Sequence, residues 1–227
     1  MTRRRGGNQH IPRPAQWREG EAPAWMSRDL SVLHDAEEIH SRLQQRLISD
    51  VLSLPALRDD WISTSRPSAV LIPLLIDVDV PSVVLTRRAD HLRNHKGEIS
   101  FPGGRMEKDE SPHTAAIREA YEEIALPHDA VTVLGHLHPI ATFASNSHIT
   151  PVVARVEGTP SFVADPGEVA RVFTVTLSDL TREDTYRNEW WETPRGEVNI
   201  HFFELDDETI WGATGRLLHQ LLDVLTQ

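Results

Sequence analysis

The sequence has no cysteine, no long apolar run and a shortage of basic residues. Without cysteine no disulfide can form, which agrees with a reducing cytoplasm. No apolar stretch approaches the roughly 20 residues of a membrane span, and the basic N-terminus lacks the apolar segment of a secretory signal. The 23 Lys and Arg against 34 Asp and Glu give a net charge of -11. This balance argues against general affinity for nucleic acid or an anionic membrane, so we expect a soluble cytoplasmic protein.

The chain divides into an arm and one domain. Residues 1–30 are rich in Arg, Gly, Pro and Glu without a sustained period, which predicts a disordered or extended arm that adds little to the core. Residues 31–227 are long enough for a single domain with a sizeable core. Apolar residues recur every four positions over 35–54, and a leucine-rich helix is predicted from 210 onwards. Strand-like runs stand at 69–78, 82–88, 98–101, 131–137, 148–156, 169–177 and 197–205. The fold class is therefore α+β.

The most informative stretch is FPGGRMEKDESPHTAAIREAYEEIAL, residues 101–126. Its Ser-Pro pair predicts the start of a helix. At about 100° per residue, Glu119, Glu122 and Glu123 share one arc of roughly 100°, opposite an apolar arc. Three carboxylates this close repel one another, so they either point into solvent or are gathered by a cation. A glutamate-rich helix face is most often simply solvated.

Two neighbouring features favour the cation. Gly103 and Gly104 form a turn at which backbone can approach a ligand closely. Glu110 precedes Arg118 by eight residues, so an ion pair could hold this loop against the helix. Carboxylates suit a hard ion such as Mg²⁺ or Mn²⁺, with substrate phosphate completing its shell. The residues thus predict a divalent-metal site for a phosphorylated ligand.

The spacing resembles the Nudix box. Gly104, five residues, Glu110, seven residues and the run 118–126 match the family pattern at nearly every fixed position. The exception is Ala125, where the family has Gly, and we expect it to alter the end of the helix. The resemblance implies a Nudix α/β/α sandwich with a mixed sheet, and hydrolysis of a nucleoside diphosphate linked to another moiety.

The resemblance also implies roles for individual residues. The metal ligands would be Glu119, Glu122, Glu123 and the carbonyl of Gly103. Arg118 would orient a glutamate, and Glu110 would pair with Arg118. Glu168 lies in a region from which some Nudix enzymes recruit an additional carboxylate, and it is equally well interpreted as a turn acid.

Ahead of the box, LTRRADHLRNHKGEISFPGG (85–104) resembles the coenzyme A pyrophosphatase branch of the family. Glu98 departs from that pattern, in which Gln is usual. Arg and Lys bind phosphates well, and coenzyme A carries a 3′-phosphate beside its diphosphate. The residues expected to bind substrate are Arg87, Arg93, His95 and Lys96. Alternatively, Arg87 and Arg93 are only ion-pair partners of surface acids.

The resemblance predicts cleavage of coenzyme A or acyl-CoA to 3′,5′-ADP and (acyl-)4′-phosphopantetheine. One alternative is a Nudix pyrophosphatase for ADP-ribose, NADH or a modified nucleoside triphosphate. Another is a catalytically silent nucleotide-binding domain, which the intact glutamates argue against. A homodimer is a further expectation that rests on analogy with the family alone.

Overall fold

The structure, a computed structural model, describes residues 6–50, 53, 65–142 and 146–227. The helices are α1 (Ala36–Arg46), α2 (Pro112–Ile124), α3 (Leu177–Leu180) and α4 (Gly212–Thr226). The strands are β1 (Trp17–Glu19), β2 (Arg66–Leu75), β3 (Ser82–Arg88), β4 (Ile99–Ser100), β5 (Gly103–Arg105), β6 (Val131–His136), β7 (Ile140–Thr142), β8 (Ser147–Val156), β9 (Val169–Thr176), β10 (Tyr186–Thr193), β11 (Gly196–Glu204) and β12 (Thr209–Ile210). In these ranges no helix is long and apolar enough to cross a membrane.

The strands form two sheets. The larger has the order β4-β3-β2-β8-β6, with β5 paired to β2, β7 to β8 and β9 to β3. Only the pairing of β2 with β8 is parallel, so the sheet is mixed, as predicted. The smaller sheet is antiparallel, with the order β1-β10-β11-β12.

The larger sheet is covered on both faces, because alternate residues of β2 enter different apolar clusters. Leu71 packs in a cluster with Ala116, Ala120 and other apolar residues of α2. Ile72, its neighbour in sequence, packs in the larger cluster that also contains residues of α1 and α4. The result is the predicted α+β sandwich, with α2 on the face that carries the candidate site.

Helix α1 is shorter than the period over 35–54 predicts. Asp35 caps it by accepting hydrogen bonds from two backbone N–H groups of the first turn. The helix ends at Arg46, because Leu47 turns extended and Ile48 forms a β-bridge with His136. Most of the predicted range beyond residue 50 lies outside the described residues.

The N-terminal arm contributes to the core, so the expectation that it adds little is wrong. Its strand β1 pairs with β10, and Arg13 forms an ion pair with the buried Glu189. Trp25 is completely buried in the larger cluster, where its ring meets the edge of Tyr186 at a centroid distance of 4.8 Å. The sequence did not predict this contact, because a single large aromatic residue can be buried without any apolar periodicity in the residues around it.

Candidate active site

Helix α2 and strand β5 bring the glutamates beside the two glycines. The helix begins as its Ser-Pro pair predicts: Ser111 Oγ accepts a hydrogen bond from the N–H of Thr114 at 3.1 Å, and Pro112 is the first helical residue. From this start the helix runs along the larger sheet and packs against β2 and β5. Its register therefore decides which glutamates face the glycines.

The end of α2 contradicts the expectation attached to Ala125. Ala125 adopts the left-handed conformation, with φ 53° and ψ 32°, and donates a hydrogen bond to the Tyr121 carbonyl at 2.9 Å. Leu126 then donates to the Ala120 carbonyl at 3.4 Å. The helix thus ends as it would with glycine, and alanine bears the cost of a conformation that glycine adopts freely.

The three glutamates on the predicted arc differ greatly in exposure. The Glu122 side chain is 57% exposed, that of Glu119 is 16% exposed and that of Glu123 only 5%. The helical period placed them on one flank but could not show how β5 covers part of it. Glu122 therefore stands at the rim of the site and Glu123 at its base.

Arg118 organises the rim. Its Nε and Nη2 donate to Glu110 at 2.9 and 3.1 Å, so the predicted ion pair between loop and helix is present. Its Nη1 donates to Glu119 at 2.9 Å and to Glu122 at 3.0 Å, and Nη2 also donates to the Arg105 carbonyl. The hydrogen bonds that Arg118 donates to Glu110 lower the pKa of Glu110, and the same hydrogen bonds are the largest cause that raises the pKa of Arg118. One guanidinium thus fixes three carboxylates.

Glu123 is the most perturbed acid of the site. Its Oε2 accepts a hydrogen bond from the N–H of Gly103 at 3.2 Å, and its Oε1 lies 3.7 Å from Arg88 Nη1. Burial raises the pKa of Glu123 to about 8, and the negative charges of Glu168 and Glu119 act in the same direction. The hydrogen bond and Arg88 oppose this rise without cancelling it. Burial also raises the pKa of Glu119.

The two glycines of β5 are needed because other groups fill the space of their missing side chains. A Cβ on Gly104 would lie 2.5 Å from the Glu119 carboxylate. A Cβ on Gly103, whose φ is +156°, would lie 2.5 Å from the Ala69 carbonyl oxygen. The turn predicted at these glycines is wrong, because both belong to strand β5 and pair with β2. The predicted close approach is present as an approach of backbone to a carboxylate.

Glu168 lies on the loop before β9, with its side chain exposed. Its carbonyl accepts a hydrogen bond from Ala89 at 2.8 Å, which holds the loop against the end of β3. Its negative charge is one of the smaller contributions to the raised pKa values of Glu119 and Glu123.

A cavity of about 710 Å³ extends from the glycines of β5, and Gly103 and Gly104 form part of its wall. Cationic side chains make up much of the rest: Arg66, Arg88, Arg93, Arg105 and His95. Helix α2 thus presents acids on one side of the glycines, and the strands and the β3–β4 loop present cations on the other.

The structure separates the four predicted substrate-binding residues into two pairs. Arg93 and His95 line the cavity, whereas Lys96 is exposed outside it. Arg87 is turned away: both Nη atoms donate to Asp90, at 3.0 and 2.9 Å, and its Nε lies 3.2 Å from Glu208. The hydrogen bonds that Arg87 donates to Asp90 raise the pKa of Arg87. Arg87 therefore fits the alternative expectation, in which it is only an ion-pair partner of acidic residues.

Three cations of the wall were not among the residues expected to bind substrate: Arg66, Arg88 and Arg105. A signal existed for Arg88, which is the arginine of the pattern Leu-Thr-x-Arg over residues 85–88. Arg66 and Arg105 carried none, because only the pairing of β5 with β2 brings them to the same edge.

The residues fit a divalent metal ion by their chemistry. The donors are carboxylate and backbone carbonyl oxygens, and the carboxylate at the base is held in its costly ionised form only if positive charge is supplied. In the described part of the chain, no three His, Asp or Glu side chains already converge as a metal cluster. Glu119 and Glu122 both accept hydrogen bonds from the same nitrogen of Arg118.

A glutamate helix ordered by one arginine, beside the two glycines of β5 and a cationic cavity, suits a hydrolase of phosphoanhydride bonds. The model of the NUDIX domain matches residues 65–190, and the chain belongs to the Nudix family. Members of this family in general use divalent metal ions.

Relatives agree with this membership. The chain is 38% identical over 162 residues to a Yersinia enterocolitica protein described as "Uncharacterized Nudix hydrolase NudL", covering 70% of this chain and 81% of the relative. A Yersinia pestis NudL is 36% identical over 162 residues, covering 70% and 79%. A solved MutT/nudix family protein from Enterococcus faecalis has a TM-score of 0.48 and 16% identity, covering 83% of this chain and 73% of that one.

Proposed function

We propose that this Nudix hydrolase cleaves the diphosphate of coenzyme A or acyl-CoA to 3′,5′-ADP and (acyl-)4′-phosphopantetheine. The observation that carries the proposal is the cationic cavity that begins at Gly103 and Gly104. A diphosphate held at the glutamates would leave its adenosine 3′-phosphate to be bound a short distance away. Guanidinium groups suit that phosphate because they donate two parallel hydrogen bonds to its oxygens.

In this proposal the residues of α2 and β5 hold the metal. Its ligands would be Glu119, Glu122, Glu123 and the carbonyl of Gly103. A bound Mg²⁺ or Mn²⁺ would neutralise the diphosphate and lower the pKa of a water molecule. Arg118 orients Glu119 and Glu122, and Glu110 fixes Arg118 through two hydrogen bonds.

We assign supporting roles to three further residues. Glu168 is an additional carboxylate of the site, since its charge acts on both Glu119 and Glu123. Arg93 and His95 bind the 3′-phosphate from the cavity wall.

The test compares coenzyme A with dephospho-coenzyme A, which lacks only the 3′-phosphate. A charge-assisted hydrogen bond contributes about 1.5–3 kcal/mol, so kcat/KM should favour coenzyme A by roughly 10- to 100-fold. Arg93→Ala should remove most of this preference, because it deletes a cation of the wall.

Lys96→Ala is the matched control. It removes one positive charge from the same loop but outside the cavity, so the preference should persist. Equal kcat/KM for both substrates in the wild-type enzyme would contradict the proposal. A panel containing ADP-ribose and NADH, with products identified by mass spectrometry, would then name the substrate.

A further inference from the structure

The loop between β3 and β4 holds one histidine in an unusual backbone conformation. His95 has φ 55°, in the left-handed region that residues other than glycine seldom adopt. Gly97, two residues later, is also left-handed, with φ 68°. The chain then runs back beside β3, where the Arg88 N–H donates a hydrogen bond to the Glu98 carbonyl at 2.9 Å. This conformation directs the His95 ring onto the side chain of Glu98. Strain of this kind is often retained where a side chain must be placed for function.

The contact between the two side chains distinguishes the two ring nitrogens. His95 Nδ1 lies 2.9 Å from Glu98 Oε2, so the carboxylate engages this nitrogen as the donor. Nε2 has no hydrogen-bond partner among the residues that the structure describes, although the ring lines the cavity. When the ring is neutral with its proton on Nδ1, Nε2 can only accept a hydrogen bond; when the ring is protonated, Nε2 donates one. A phosphate oxygen needs a donor.

We propose that Glu98 is a positioning residue, which holds the His95 ring in the orientation and charge state in which Nε2–H donates to a phosphate-monoester oxygen of the substrate. The inference rests on the proposed function, because the phosphate monoester it names is the 3′-phosphate of coenzyme A. It makes the departure at position 98 meaningful: a carboxylate stabilises a protonated histidine, whereas the Gln expected there would support the neutral ring.

The charges around His95 agree with this role. The hydrogen bond that His95 donates to Glu98 raises the pKa of His95, against burial and the positive charge of Arg88. Arg66 and Arg105 line the same cavity from β2 and β5, and Arg93 lines it from the loop. Without Glu98 these cations would favour a neutral ring. With Glu98, the recognition of the phosphate monoester becomes dependent on pH, and it weakens as the pH rises and His95 gives up its proton.

The experiment measures the charge of His95 and the substrate preference separately. NMR of histidine-labelled protein, with the His95 signal assigned from His95→Gln, follows the titration of the ring in wild type and Glu98→Gln. The same samples, in EDTA, are titrated with 3′,5′-ADP and with 5′-AMP, which lacks the 3′-phosphate. Steady-state assays give the ratio of kcat/KM for coenzyme A to that for dephospho-coenzyme A across pH.

We expect His95 to titrate at lower pH in Glu98→Gln, and the coenzyme A preference to decrease at correspondingly lower pH. At a pH between the two transitions, the preference in Glu98→Gln should be roughly 10-fold smaller than in wild type. His95→Gln should give a preference without this pH dependence, and adding Glu98→Gln to it should change nothing further. 3′,5′-ADP should shift the His95 signal more than 5′-AMP does.

Two results would overturn the inference. If His95 titrates identically in wild type and Glu98→Gln, Glu98 does not set its charge state. If the preference fails to follow the titration, His95 does not contact the phosphate monoester. Failure of the proposed function looks different: wild type would not prefer coenzyme A. In that case, a larger shift of the His95 signal with 3′,5′-ADP than with 5′-AMP would still support a contact between His95 and the phosphate monoester. Equal shifts with the two ligands would overturn that contact as well.

Discussion

Glu123→Gln is expected to stabilise the metal-free protein at alkaline pH while it abolishes turnover. The wild-type Glu123 side chain is 5% exposed, and burial raises its pKa from 4.5 to about 8. Between these values the folded protein binds more protons than the unfolded chain, so stability is complete below pH 4.5 and falls as the pH rises towards 8. The loss amounts to about 4 kcal/mol at pH 8. Glutamine carries no charge, and its carbonyl oxygen can keep the hydrogen bond from Gly103.

The assay is urea unfolding in EDTA at several pH values from about 5.5 to 8.5. Wild type should lose stability across this range, and Glu123→Gln should lose much less. Added Mg²⁺ or Mn²⁺ should stabilise wild type at pH 8, because it supplies the charge that the buried carboxylate lacks. The same cation should have little effect on the variant, whose turnover should fall by orders of magnitude.

Glu122→Gln provides the control on the same helix. Its side chain is 57% exposed, so water solvates the carboxylate and the pH dependence of stability should resemble that of wild type. If Glu123→Gln and wild type lose stability equally with pH in EDTA, burial does not impose the cost derived above. If Glu123→Gln turned over substrate at the wild-type rate with saturating metal, the assignment of the metal site itself would be refuted.

Three further substitutions test other parts of the argument. Ala125→Gly should stabilise the protein by about 1 kcal/mol in thermal unfolding, because glycine adopts the left-handed conformation without strain; an unchanged Tm would show that the turn relaxes around alanine. Trp25→Ala should destabilise it by about 3–5 kcal/mol in urea, and a smaller loss than 1 kcal/mol would mean that the arm is dispensable. Gly104→Ala should reduce kcat by at least about 10-fold through displacement of Glu119, and full activity would contradict the close approach found here.

The sequence by itself determined helix α2 and the flank that carries the glutamates. Both depend on contacts between residues a few positions apart: the cap at Ser111, the proline after it and the spacing of Glu119, Glu122 and Glu123. The pairing of Glu110 with Arg118 was equally accessible, because it closes a short loop onto its own helix. The larger strands were predicted for a similar reason, since their apolar runs reflect burial on both faces.

The tertiary structure alone decided which cations face the substrate. Arg87 and Arg88 are neighbours on β3, and successive strand residues point to opposite faces. Arg88 consequently reaches Glu123 and the cavity, whereas Arg87 reaches Asp90 and Glu208. The sequence shows two adjacent arginines. Only the packing of α2 on one face of the sheet decides that Arg88 lies beside the candidate site and Arg87 does not.

The burial of Glu123 and of Trp25 likewise came from contacts between distant parts of the chain. Glu123 is covered by β5, whose position follows from its pairing with β2, and Trp25 is enclosed after β1 pairs with β10. A helical or extended pattern reports the direction in which a side chain points. What lies in that direction depends on segments far away in sequence, and for this protein those segments set the pKa of its most buried acid.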